Sequence, residues 1–178
     1  MTRWIPRRWP VLVAVVLAVL TVGGSVTAST VTAMGEVLPF LPLVYLVATK
    51  LRRRAASWPI LIGGSVVLFG LKLIDAVSPA VFFVLVALLV FLWGAVGGDL
   101  RGSREFRIQS LGMLGFGALA LVGLAVDPDL GRYIVGAGWL LHGGWDFVHL
   151  RRDKTVARSY AEWCGVLDVL VGLSLVLL

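Results

Sequence analysis

Three ionisable side chains punctuate the run Trp139-Leu-Leu-His142-Gly-Gly-Trp145-Asp146-Phe-Val-His149, which is otherwise apolar enough to cross a membrane. At helical spacing His142, Asp146 and His149 fall on one stripe. A carboxyl group held near an imidazole in a dry pocket can store and pass a proton near neutral pH, so the stripe points to general acid-base chemistry. Such groups are costly in hydrocarbon and mark sites by default. The blander assignment puts Asp146 and His149 at a membrane boundary, paired with Arg151 or Arg152, and leaves His142 hydrogen-bonded within the bundle. Two histidines and a carboxylate, with Asp168 or Glu162 opposite, could also ligate a metal. Their spacing is not a diagnostic motif such as HExxH, so no metal is expected. The sequence has no phosphate-binding loop, nucleophile elbow or aspartate-rich diphosphate motif, and no cofactor is expected either.

The elements that must position these groups are membrane helices. The chain has 178 residues, 59% of them hydrophobic and only 15% charged, which is more apolar than a soluble domain. Residues 1–178 read as a single integral membrane domain. Seven apolar runs can be marked: Val11 to Thr32, Val37 to Ala48, Trp58 to Ala76, Pro79 to Val96, Ile108 to Val126, Tyr133 to Leu150 and Tyr160 to Leu178. The second is short and holds Pro39 and Pro42, which suit a kinked, tilted or re-entrant segment. Four short segments, around Arg3/Arg7/Arg8, Lys50/Arg52/Arg53/Arg54, Arg101/Arg104/Arg107 and Arg151/Arg152/Lys154/Arg158, hold 14 of the 16 Lys and Arg residues. Their alternation predicts an all-α bundle of seven helices, N-terminus inside and C-terminus outside, in the plasma membrane. Clustering in loops also explains the net charge of +6 without a nucleic-acid partner. The N-terminal run further resembles a signal peptide, with small residues around Val26-Thr27-Ala28; its removal would leave six spans. The long run favours an uncleaved helix.

The sixth and seventh runs are joined by a short basic loop and should form an antiparallel hairpin. Reflection about Lys154 puts Asp146 level with Glu162, Trp145 level with Trp163, and His142 opposite the stretch ending near Asp168. Cys164 and Asp168 share a helix face, although Cys164, the only cysteine, carries no catalytic partner signature. A second polar group lies in the outer half, where Glu36 opens the second run and Lys72 and Asp75 can pair at i,i+3. Trp4, Trp9, Trp58 and Trp93 suit an interfacial belt. Trp139, Trp145 and Trp163 accompany the ionisable groups and could wall a substrate pocket. Gly64, Gly70, Lys72 and Asp75 align with Gly138, Gly144, Asp146 and His149 at a constant offset of 74, a spacing compatible with an inverted repeat.

A compact seven-helix chain, an acid near the start of the second helix (Glu36), another in the last helix (Asp168) and Trp-rich neighbouring segments together resemble small integral-membrane terpene cyclases of fungal meroterpenoid and actinobacterial indole-terpenoid pathways. The resemblance implies that Glu36 and Asp168 protonate an alkene or epoxide of a prenyl chain, an isomerase- or lyase-type reaction in a bacterial membrane. It assigns nothing to the His142 stripe. The expectation is a membrane enzyme acting on a lipophilic isoprenoid-type substrate, with Asp168 and Glu36 as candidate acids, Asp146, His142 and His149 tuning protonation or acting as base, and Asp75 and Glu162 beside the substrate. Two rivals are a small proton-coupled transporter or channel, with a titratable series from Glu36 to His149, and a noncatalytic membrane partner held by its glycine faces.

Overall fold

The computed structural model describes residues 5–178, with side chains from residue 8 onward; Arg3, Trp4 and the Arg7 side chain lie outside the described residues. The described residues are all-α. The helices are α1 (Ile5–Val22), α2 (Ala28–Val37), α3 (Phe40–Leu51), α4 (Ser57–Ile74), α5 (Pro79–Val96), the single turn α6 (Asp99–Gly102), α7 (Arg104–Ala125), α8 (Pro128–Arg152) and α9 (Arg158–Leu177). Five segments are long and apolar enough to cross a membrane: Ala28–Leu51, Arg54–Ile74, Pro79–Val96, Arg104–Ala125 and Arg158–Leu177. The helix α8 has 25 residues, a span of roughly 37 Å at the α-helical rise, but is much more polar.

The first two apolar runs divide at a different place from the one hydrophobicity suggests. Instead of continuing to Thr32, α1 stops at Val22, and Thr27 starts a new helix. Its Oγ1 accepts from the Thr30 N–H, and Thr30 Oγ1 accepts from the Thr27 N–H, a reciprocal cap. A local hydrogen-bond preference has divided a stretch that is continuous in hydropathy. The second segment is consequently not short: α2 and α3 run together from Ala28 to Leu51. They are jointed at Pro39, where the Leu38 N–H still reaches Met34 O and the Leu41 N–H tightens onto Leu38 O.

Polarity is arranged inside out. Large apolar side chains are exposed along α4 (Ile62, Val66, Phe69, Leu73) and α5 (Leu85, Leu89, Leu92, Val96), whereas Gln109, His142, Asp146, His149 and Asp168 are buried. Lipid tolerates that outer surface, and only a protein interior satisfies those polar groups. The proposed repeat finds no parallel in environment, because α4 lies at the periphery, almost wholly uncovered, while α8 forms the centre.

The basic segments gather at one end of the bundle. There Lys50 bonds Asp99, Arg54 bonds Asp153 and the Val156 carbonyl, Ser57 Oγ accepts from the Ala157 N–H, and Arg8 reaches Glu162. The hydrogen-bonded Lys50 ammonium, with Arg52 beside it, holds the Asp99 carboxyl below the usual carboxylate range. Its contribution to stability is therefore present at neutral pH and is lost as pH falls through that lowered range. We expect Asp99→Asn to lower the melting temperature in detergent at about pH 7 and the difference from wild type to shrink as pH falls through and below the usual carboxylate range, which paired melting curves would check. The two remaining cations lie at the other end, where Lys72 bonds Glu36 and Arg132 donates to the Val176 carbonyl of α9.

Candidate functional site

The site is built on the α8–α9 pair, whose axes approach closely because glycines face one another. A Cβ on Gly143 would lie 3.3 Å from both Asp168 Cβ and the Gly165 carbonyl oxygen, and a Cβ on Gly165 would lie 3.2 Å from Asp146 Cβ. No bulkier pair would let the acidic side chains reach across. On α8, His142 and Asp146 are one turn apart; on α9, Tyr160, Cys164 and Asp168 follow at successive four-residue steps and share a face. The two stripes meet.

At their junction His142 Nδ1–H donates to Asp168 Oδ2 at 2.7 Å and lies 3.2 Å from Asp146 Oδ2. The Tyr45 hydroxyl of α3 donates to Asp146 Oδ1 at 2.5 Å. Cys164 Sγ sits 3.7 Å from Asp168 Oδ2 and 3.9 Å from the Tyr160 hydroxyl. His142, Asp146, Cys164 and Asp168 are all at 0% exposure. The rings of Phe116 and Tyr45 stand edge-on to the His142 ring, with centroids at 4.9 and 5.8 Å. Asp146 Oδ2 and His142 Nε2 are buried without a hydrogen-bond partner.

Electrostatics constrains this arrangement. Two carboxyl groups share one imidazole, and neither Lys nor Arg pairs with either carboxyl among the described residues. One imidazolium balances one carboxylate. The second carboxylate would be left as an unbalanced charge in a low-dielectric core at a cost of several kcal/mol, so neutrality requires a further proton on the carboxyl pair or a bound cation. The cluster is thus a proton-holding centre or a cation site by charge balance alone.

The remaining candidate residues are dispersed. His149 lies one turn beyond Asp146, where Nδ1–H donates to the Trp145 carbonyl at 2.8 Å and Nε2 accepts from Gln109 Nε2 at 2.9 Å. It packs edge-on against Tyr45 but is not hydrogen-bonded to the cluster. Glu36 is bonded to Lys72 of α4, and no hydrogen bond or ion pair links it to His142, Asp146 or Asp168 among the described residues. Asp75 does not pair with Lys72, because it is the left-handed residue that ends α4 (φ 51°) and so leaves the i,i+3 face. Glu162 turns to Arg8 of α1. Asp146 and His149 do not pair with Arg151 or Arg152.

The three tryptophans do not wall one pocket. Trp139, with its indole N–H on the Met34 carbonyl, and Trp163 line a groove of about 530 Å³ together with Trp9, Trp58 and Phe69. Trp145 lies elsewhere, against Phe116, His149 and Gly112 of α7. Sequence reasoning placed Cys164 on the Asp168 face but missed Tyr45, Tyr160 and Gln109, and the four-residue step from Tyr160 to Cys164 was the available signal for Tyr160. No protein-family model matches the chain, and neither a curated protein nor a solved structure matches it.

Proposed function

We propose that this chain crosses a bacterial plasma membrane seven times, N-terminus inside and C-terminus outside, and that its buried cluster performs acid-base chemistry on a lipophilic isoprenoid-type substrate. The most concrete form is cyclisation started by protonation of an alkene or epoxide. The observation carrying this reading is the pair of carboxyl groups on one imidazole, at zero exposure and among aromatic rings. Such a reaction needs a proton held away from water, and its carbocation needs aromatic faces and no nucleophile. Asp168 delivers the proton, Asp146 takes the part the resemblance gives to Glu36, and His142 orients both and recovers a proton as the cation collapses to an alkene. The groove offers an apolar chain a berth, and Trp58, Trp163, Tyr160 and Tyr45 lead from it toward Asp146 at ring spacings of 5.6, 6.1 and 5.9 Å. Asp75, which ends α4, and Glu162, which pairs with Arg8, lie outside the proposed substrate path.

Membranes containing the protein are to be incubated with prenylated aromatic substrates and their terminal epoxides, and the products analysed by mass spectrometry and NMR. We expect an isomer of unchanged mass with one more ring and one fewer reactive alkene or epoxide. Recovery of every substrate unchanged counts against the reading. The topology is checked separately with fusions: alkaline phosphatase is active at the C-terminus and inactive after Lys50, Arg101 or Lys154, and a fluorescent protein gives the converse. Activity after any of those basic segments rejects the seven-span orientation.

A further inference from the structure

The geometry points to a divalent transition-metal site of the zinc and ferrous class formed by His142 and Asp146 of α8 with Cys164 and Asp168 of α9. One donor atom from each residue lies within 4.8 Å of every other. Donors of a tetrahedral ion bound at about 2.0–2.3 Å stand roughly 3.3–3.8 Å apart. Here His142 Nδ1 is 2.7 and 3.2 Å from the two carboxylate oxygens, and Cys164 Sγ is 3.7 Å from Asp168 Oδ2. Changes of roughly 0.5–1 Å in the donor separations would admit an ion between them.

Three further observations favour a ligand over a self-contained polar knot. Asp146 Oδ2 is fully buried and has no hydrogen-bond donor, although it faces the His142 ring. The two carboxylates and the Cys164 thiolate would carry three negative charges, of which a divalent cation cancels two, and no Lys or Arg pairs with the carboxylates among the described residues. The donors also have outer partners of the kind metal sites use: the Tyr45 hydroxyl holds Asp146, and the Tyr160 hydroxyl lies beside Cys164. One nitrogen, one sulfur and two oxygens exclude magnesium and calcium, which take oxygen alone. Paired one-turn spacings on two facing helices are also the way a bundle core presents ligands.

The inference stands apart from the cyclisation reading, because it needs only the four donors. Ion and transferable proton exclude each other at this site, so the metal-bound protein is a resting or stabilised form and not the proton donor.

The test uses the full chain purified in detergent, with and without incubation with zinc or cobalt(II), and elemental analysis by mass spectrometry after desalting. About one ion per chain is expected, falling at least roughly tenfold in Asp168→Asn and Asp146→Asn. The cobalt form of wild type should show an intense near-ultraviolet thiolate-to-cobalt band that Cys164→Ser loses. Gel filtration and melting curves confirm which variants are folded. If the carboxylate variants do not fold, the cobalt band in wild type decides alone. Less than about a tenth of an ion per loaded wild-type chain, or equal metal in wild type and all folded variants, overturns the proposal.

Discussion

Asp168→Asn should reduce product formation by about a hundredfold to ten-thousandfold, the range expected for removing a positioned general acid. The amide has the shape of the carboxyl group, and its oxygen can still accept from His142 Nδ1–H, so the helix pair keeps its packing while losing the transferable proton. Tyr45→Phe should do less, about tenfold, because it removes one hydrogen bond to Asp146 and leaves both carboxyl groups in place. Glu36→Gln should leave the rate near wild type, since Glu36 is occupied with Lys72 at the far end of the bundle. Initial rates in membranes, normalised to the amount of protein by immunoblot, separate the three. An unchanged product profile in Asp168→Asn removes it as the acid. Loss of conversion in Glu36→Gln instead restores the pair of acids that the family resemblance implies.

The second large effect is structural. A Cβ at Gly172 would fall 2.9 Å from the Leu140 amide nitrogen and 3.0 Å from the Gly136 carbonyl oxygen, and backbone atoms of a packed helix cannot move aside as a side-chain tip can. Gly172→Ala should destabilise the protein by about 1–3 kcal/mol, and Gly172→Val should prevent its accumulation in the membrane. Gly144 and Gly70 have nothing within 4 Å of an added Cβ, so alanine at either should be neutral or stabilising by up to about 1 kcal/mol. Thermal unfolding in detergent, followed by gel filtration, gives the comparison. A Gly172→Val protein that accumulates and melts like wild type would mean that α8 and α9 do not approach as described. Loss of the close approach should also disperse the cluster, because Gly143 and Gly165 set the distance across which His142 meets Asp168.

Some of this was open to inspection in the linear chain. The meeting of His142 with Asp168 follows from a hairpin with a short connection, since reflecting two helices about a tight turn leaves little freedom along their axes. Rotation about those axes is another matter. Glu162 is level with Asp146 but sits six residues before Asp168, about 240° around the helix, and so faces α1. Glu36 likewise follows Gly35, whose face is packed against Leu124 and Val135, and a single residue step of about 100° turns the acid outward to Lys72. Tyr45 could not have been found locally, because its partner Asp146 lies 101 residues away and α3 has no polar pattern to announce it. The boundary between α1 and α2 was hidden for a different reason. Val22, Val26 and Ala28 continue the hydropathy of their surroundings, while Gly23, Gly24 and Ser25 end α1 and the threonine cap starts α2.

The polarity of α8 has a consequence for the protein's accumulation in the membrane. Its own composition does not select it for the lipid phase, so its place in a bilayer depends on the helices packed around it. Cover for His142, Asp146 and His149 comes from α9 on one side and from α3 and α7 on the other, which supply Tyr45, Gln109 and Phe116. A chain cut between Arg152 and Arg158 should lose the cover that α9 gives to His142 and Asp146, and we expect it to accumulate less than the intact protein, which an immunoblot of membranes would check.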